Sequence, residues 1–208
     1  MTMTGISRSW LRLRLAAAGL ATDCRGVAAT EFVMIVPLML VMFFGTVEFS
    51  SGVAVDRKVT LVARTLSDLT SQSMSVADTD LQNFFAASAA VLTPYSVAPV
   101  QPTLSEIYVD ASKNAKIQWS KAATVAMVGG APQATLTTSS HNQGDTVSLP
   151  AALQVPGTYL IWSEVKYTYK PAVGYVMAKA GVTLSDLTYT RPRQSACVKY
   201  NTTTCTTF

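Results

Sequence analysis

The sequence predicts an α+β protein: a long N-terminal transmembrane helix continuing into an amphipathic stalk, a short second helix, and a small antiparallel β-sheet head. Three observations carry that expectation. An uncharged run, Phe32 to Val47, opens a 24-residue apolar stretch that reaches Val55. A stripe of apolar residues at helical spacing follows it. From about residue 94 the composition turns to Pro, Thr, Ser, Val and Tyr, in runs that alternate with a period near two.

Composition limits the classes available. The 208 residues are 49% hydrophobic and 13% charged, with a mean hydropathy of +0.28, the reverse of a disordered chain. The net charge of +4 does not mark a nucleic-acid binder, because its excess is not spread over a folded surface. Residues 1–26 hold Arg8, Arg12, Arg14 and Arg25 against Asp23, a charge of +3. That leaves twelve basic and eleven acidic residues for the other 182, so no nucleic-acid partner is expected.

The first element after this basic leader is the span, expected over 27–55. The 24 residues from Phe32 to Val55, with Glu48 as the one ionisable interruption, make a helix of about 36 Å at ~1.5 Å per residue, enough for a hydrocarbon core of about 30 Å. The run exceeds the apolar core of a secretory signal, and no A-x-A cleavage site follows it before Asp56. An Arg-rich leader is retained on the cytoplasmic side, which places the remainder outside. Arg57, Lys58 and Arg64 after the span weaken that bias.

Residues 56–93 are expected to form the stalk and a short helix. Val55, Val59, Val62, Leu66 and Leu69 recur every three or four residues, so one helix from about Val27 to Thr70 would leave the bilayer with a sticky face. Asp78 reads as the N-cap of the second helix, which ends before Pro94. The head, 94–208, has strand-like runs at 104–110, 115–121, 158–169 and 184–190. Residues 122–157 read as a long loop with one minor strand at 133–137. Tyr159, Trp162, Tyr167 and Tyr169 are expected in the sheet core and its cross-strand pairs.

The junction between leader and span reads Arg25, Gly26, Val27, Ala28, Ala29, Thr30, Glu31, Phe32. A basic leader, a Gly, a break, a Glu at the fifth position after it and a membrane helix resemble the type IV prepilin pattern. With Pro37 and the later Gly45–Thr46–Val47–Glu48–Phe49, the segment from Arg25 to about Val55 is similar to the TadE-like pseudopilins, or minor pilins, of tight-adherence (Tad/Flp) pilus systems. A Tyr-rich strand, Pro171 and the Arg191–Pro192–Arg193 ending resemble the same group more weakly. The resemblance implies a protein of the bacterial inner membrane with its N-terminus cytoplasmic and its head periplasmic, or one incorporated into a surface pilus. It implies as partners a prepilin peptidase, the major Flp-type pilin, other pseudopilins and the inner-membrane assembly platform, besides the lipid bilayer.

The chemistry of the junction agrees. Gly26 has no side chain to obstruct a peptidase at the membrane face, and cutting after it would give Val27 a free amine. An unpaired carboxylate in a bilayer helix costs about 2.5–3.5 kcal/mol on insertion scales. The resemblance implies that Glu31 pairs with the Val27 amine of a neighbouring subunit; the alternative is that Glu31 lies among lipid headgroups and marks the helix start. Pro37 is expected to kink or loosen the span. Gly45, Glu48 and Gly52 share one helical face, and the glycines permit close approach by a pilin or another membrane protein; alternatively Glu48 reaches the outer water interface.

Of three cysteines, Cys24 lies in the leader, so cleavage would leave Cys197 and Cys205, close in sequence, in an oxidising compartment that permits a disulfide. No metal site or cofactor is expected with one His and two remaining thiols. His141 reads as an exposed loop residue, and no nucleophile elbow, phosphate loop or HExxH pattern occurs, so no enzymatic activity is expected. Two other functions fit the same sequence: an uncleaved membrane-anchored periplasmic scaffold of a secretion system, or a surface adhesin using the Thr/Ser-rich loop and tail.

Overall fold

The computed structural model describes Arg14, Gly19 and residues 25–171 and 181–205. The leader expected over 1–26, Cys24 included, lies almost wholly outside them. The chain divides into two compact units, one ending at Val47 and one beginning at Glu48.

In the first unit the chain is helical from Arg25, the start of helix α1 (Arg25–Ser71), which continues through Pro37. Its apolar side chains are uncovered: Phe32, Met34, Leu38 and Phe43 are 67%, 82%, 65% and 61% exposed. The hydroxyls of this stretch donate to the preceding turn, Thr30 to the Val27 carbonyl and Thr46 to the Met42 carbonyl, each at 2.8 Å. That satisfies them without water, as a lipid environment demands.

The second unit begins with the part of α1 from Glu48 onward, about six to seven turns, and adds a short strand β1 (Ser75–Val76), helix α2 (Asp78–Ala89), and strands β2 (Val100–Val109), β3 (Ala115–Val128), β4 (Ala131–Thr137), β5 (Thr146–Val147), β6 (Tyr159–Tyr169), β7 (Val182–Thr190) and β8 (Lys199–Tyr200). The main sheet runs β4-β3-β2-β6-β7, with β5 paired to β3, and every pairing in it is antiparallel. β1 and β8 form a separate parallel pair.

Both helices lie against one face of the sheet. Val55, Val59, Val62 and Ala63 of α1 share a core with Val100, Val125, Val165, Tyr167 and Tyr169. Leu66 joins Leu81 and Phe85 of α2 with Leu104, Trp119, Ala123 and Ile161. This corrects the expected stalk: Val55, Val59, Val62 and Leu66 are at most 1% exposed and form the centre of the head, not a free sticky face. Only Leu69, half-buried, stays at its margin. An apolar stripe demands a cover, and here the chain's own sheet supplies it.

The expected loop over 122–157 is also corrected. β3 runs on to Val128 and turns at Gly129 and Gly130, whose φ values of 59° and 84° suit a two-residue hairpin of the I′ type. β4 then pairs with β3 from Ala131 to Thr137. The residues that follow include β5 and Leu149, which is buried with Ile107, Ile117, Leu160 and Trp162 on the sheet's other face. A bulge allows β3 to serve both cores. Glu106 pairs with Trp119 but Ile107 with Ile117, so Gln118 is the extra residue. The odd-numbered side chains of β3 therefore change face between Ile117 and Trp119.

One local detail differs from expectation and another agrees with it. Helix α2 is capped at Ala77, with Asp78 already inside it, because Asp80 Oδ2 accepts the Ala77 N–H at 2.9 Å. Tyr159, Trp162, Tyr167 and Tyr169 are buried in the sheet core, each at most 8% exposed.

Candidate assembly site along the long helix

The processing junction is open. A Cβ built on Gly26 meets no atom within 4 Å, and Val27 and Glu31 are both exposed. Glu31 follows Val27 by four residues, about 6 Å along the axis and on the same face. Among the described residues, none buries the 18-residue apolar window of α1, which is long and apolar enough to cross a membrane. Pro37 is exposed within this stretch, and Gly45 is partly covered.

Glu48 and Gly52 are placed differently from expectation. Glu48 is 3% exposed, and a Cβ on Gly52 would lie 3.8 Å from Tyr169 Cε1, an ordinary contact. At Gly52, Tyr169 of β6 in the same chain lies on the face that was expected to receive another membrane protein. Burial raises the Tyr169 phenol above its ordinary value; the Glu48 charge adds to the rise, and a hydrogen bond with Ser51 opposes it. Further along, Lys58 Nζ donates to the carbonyls of Val91 and Thr93 at 2.8 and 2.7 Å. A cation thus meets the carbonyls that end the α2 region.

The last residues of α1 anchor the C-terminal part of the chain. The Arg193 N–H donates to the Ser71 carbonyl at 2.8 Å, and its guanidinium pairs with Asp68 at 2.5 Å. Ser67 donates to Thr190 at 2.7 Å. The Arg191–Pro192–Arg193 segment therefore docks on the C-terminal end of α1, where a cation also suits the helix dipole. Cys197 and Cys205 are joined, their Cα atoms 6.2 Å apart.

Of two further polar features, Glu106 was not singled out in the sequence and His141 is placed differently from expectation. Glu106, 2% exposed, accepts the Val198 N–H on Oε1 at 2.5 Å and the Trp119 indole N–H on Oε2 at 3.1 Å. Burial pushes its carboxyl up to about 8, against the opposing pull of these two donors. It ties the segment carrying Cys197 to the sheet centre. Its signal was available: Glu106 occupies an inward position between Leu104 and Tyr108. His141, expected to be an exposed loop residue, instead bonds Glu164 at 2.7 Å and lies against Trp162, ring centroids 4.8 Å apart. It pins the segment after β4 to β6. Among the described residues no group of three or more His, Cys, Asp or Glu is placed to hold a metal ion.

What α1 offers, then, is an open glycine junction, a carboxylate one turn beyond it, a bare apolar stretch, and a second half consumed by its own head. No curated protein and no solved structure matches the chain. A family model described as TadE-like protein matches residues 26–66, from the junction glycine to the leucine at the centre of the head core, and this segment is therefore TadE-like.

Proposed function

We propose that the chain is a minor pilin or pseudopilin that assists the initiation, extension or anchoring of a Tad/Flp-type IV pilus. The observation that carries the proposal is the match over residues 26–66, which begins at the exposed Gly26 and covers an apolar helix that none of the described residues shields. In this reading the precursor inserts through α1 into the bacterial inner membrane, its head on the periplasmic side. A prepilin peptidase cuts after Gly26, and Glu31 pairs with the Val27 amine of a neighbouring subunit. That pairing removes the penalty of a lone carboxylate in lipid and fixes the axial register of the two helices.

The burial of Val55 to Leu66 narrows what a filament could take up. Helix–helix packing with the major pilin, other pseudopilins or the assembly platform falls to residues 27–47, where Gly45 gives a point of close approach. The work is binding, with no chemistry of its own. Deletion of the gene should abolish or sharply reduce piliation. Restoring the parent chain should recover it, while Glu31→Ala, expressed and membrane-bound at the same level, should not. Full piliation of the deletion strain would reject the proposal.

A further inference from the structure

We infer that the groove at the gap between β4 and β5 binds a neutral saccharide. Every residue involved lies in the second unit, so the site stands whether or not the chain is a pilin.

The sheet itself opens the groove. β4 leaves β3 where Thr137 pairs with Ala122, and β5 joins it where Thr146 pairs with Lys116. Between these points no strand among the described residues covers that side of β3. The intervening chain steps away from the edge: Ser139 bonds Ser120 at 2.6 Å, and His141 bonds Glu164 of β6 at 2.7 Å. On the helix-covered face, Tyr200 packs with Trp119 and Leu136. The space left is about 570 Å³, within the ~300–1,000 Å³ of clefts that take small ligands.

The lining selects the class of ligand. Its charges are already engaged: Lys121 Nζ lies 4.8 Å over the Tyr200 ring, Asp78 accepts the Tyr200 hydroxyl, and Glu164 holds His141. No free cation is left to draw a phosphate or a carboxylate. The exposed side chains of Thr137, Thr138, Asn142 and Gln143 also line the groove, and none of them bonds a described residue. Hydroxyls and amides both donate and accept, and so match a row of sugar hydroxyls, which do the same. An apolar ligand would strand these groups away from water. Leu136, Trp119 and Tyr200 supply the apolar wall for the C–H surface of a sugar ring.

The walls are held before any ligand arrives. The Trp119 indole N–H donates to the Val198 carbonyl at 2.8 Å, Ser120 bonds Ser105 at 2.6 Å, and the Asn142 N–H donates to the Asp145 carboxylate at 2.7 Å. Tyr200 is fixed by the β1–β8 pairing and by the Cys197–Cys205 bridge beside it. Binding therefore has few groups to order beyond the four free side chains.

The test uses the full chain in phosphatidylcholine nanodiscs, which avoids sugar-headed detergents, with empty nanodiscs as the blank. The probes are the trimer of N-acetylglucosamine, maltotriose, and an uncharged Ala/Ser/Thr peptide, each titrated by ligand-observed saturation-transfer NMR. The expected result is saturable binding of at least one trisaccharide and none of the peptide; which sugar binds separates an amino-sugar glycan of the cell-wall type from a plain hexose polymer. Asn142→Ala with Gln143→Ala should weaken that binding about tenfold, and Ser112→Ala, in the distant β2–β3 turn, should leave it unchanged. Both substituted amides are exposed, and an unchanged urea midpoint shows the double variant to be folded. Binding of neither sugar, or sugar binding that the double variant retains in full, would overturn the inference. Binding of the peptide in place of both sugars would also overturn it and would assign the gap to strand addition.

Discussion

A fragment beginning at residue 73 should fail to fold, while one beginning at Glu48 should fold. The shorter fragment retains every strand and α2 but lacks Val55, Val59, Val62 and Leu66, which are at most 1% exposed. Burying a Val or Leu side chain contributes about 1.5–3 kcal/mol, so their loss removes about 6–12 kcal/mol. A domain's whole stability is about 5–15 kcal/mol. The same truncation also deletes the Lys58 bonds to the Val91 and Thr93 carbonyls and the Asp68 pairing with Arg193. Urea unfolding followed by the emission of the buried Trp119 and Trp162 would measure the difference. The expected result is a single cooperative transition for 48–208 and a gradual, baseline-like change for 73–208. A cooperative transition for 73–208 at a midpoint close to that of the longer fragment would refute the assignment of α1 to the head core.

Two further outcomes follow from the polar interior and the C-terminal bridge. The Glu106 carboxyl lies near 8 when folded against an ordinary 4.5, so between those values the folded state holds a proton that the unfolded state has released. Stability should then fall as pH rises through that window, by up to about 1.4 kcal/mol per unit, and level off below it. Glu106→Gln should flatten the slope of urea midpoint against pH, and parallel slopes for parent and variant would contradict the account. Cys197 and Cys205 are 8 residues apart, and closing a loop of that size is worth about 2.5 kcal/mol by the chain-entropy relation. Cys197→Ser should lower stability by about that amount in oxidised protein, and no loss of urea midpoint would show the bridge to be idle.

How far the sequence revealed this architecture depended on whether the relevant pattern was local. The apolar run from Phe32 to Val47 and the alternation of Tyr159 to Tyr169 are local, and both elements form where they were expected. The stripe Val55–Val59–Val62–Leu66 was equally clear, but an amphipathic face does not say what covers it; that depends on strands about 40 to 115 residues away. The extension of β3 to Val128 was hidden because the Gln118 bulge breaks the alternation partway along the strand. The Gly129–Gly130 pair was the available signal for the hairpin, and the Thr/Ser-rich sequence around it obscured that signal. At the candidate site, Gly26 and Glu31 were singled out by spacing alone, and the structure leaves both exposed. The burial of Glu48 and the contact of Tyr169 with Gly52 were not legible in the sequence, since that contact joins positions more than 100 residues apart.

The central proposal, a precursor trimmed and used as a pilin-like subunit, is tested most directly by the intact mass and N-terminal sequence of the membrane-bound protein from cells with a working prepilin peptidase. The account predicts a mature chain of 182 residues beginning at Val27, with Cys24 removed, and retention of the full precursor when the peptidase is deleted. A chain that still begins at Met1 in peptidase-positive cells would contradict it and favour an uncleaved membrane-anchored scaffold.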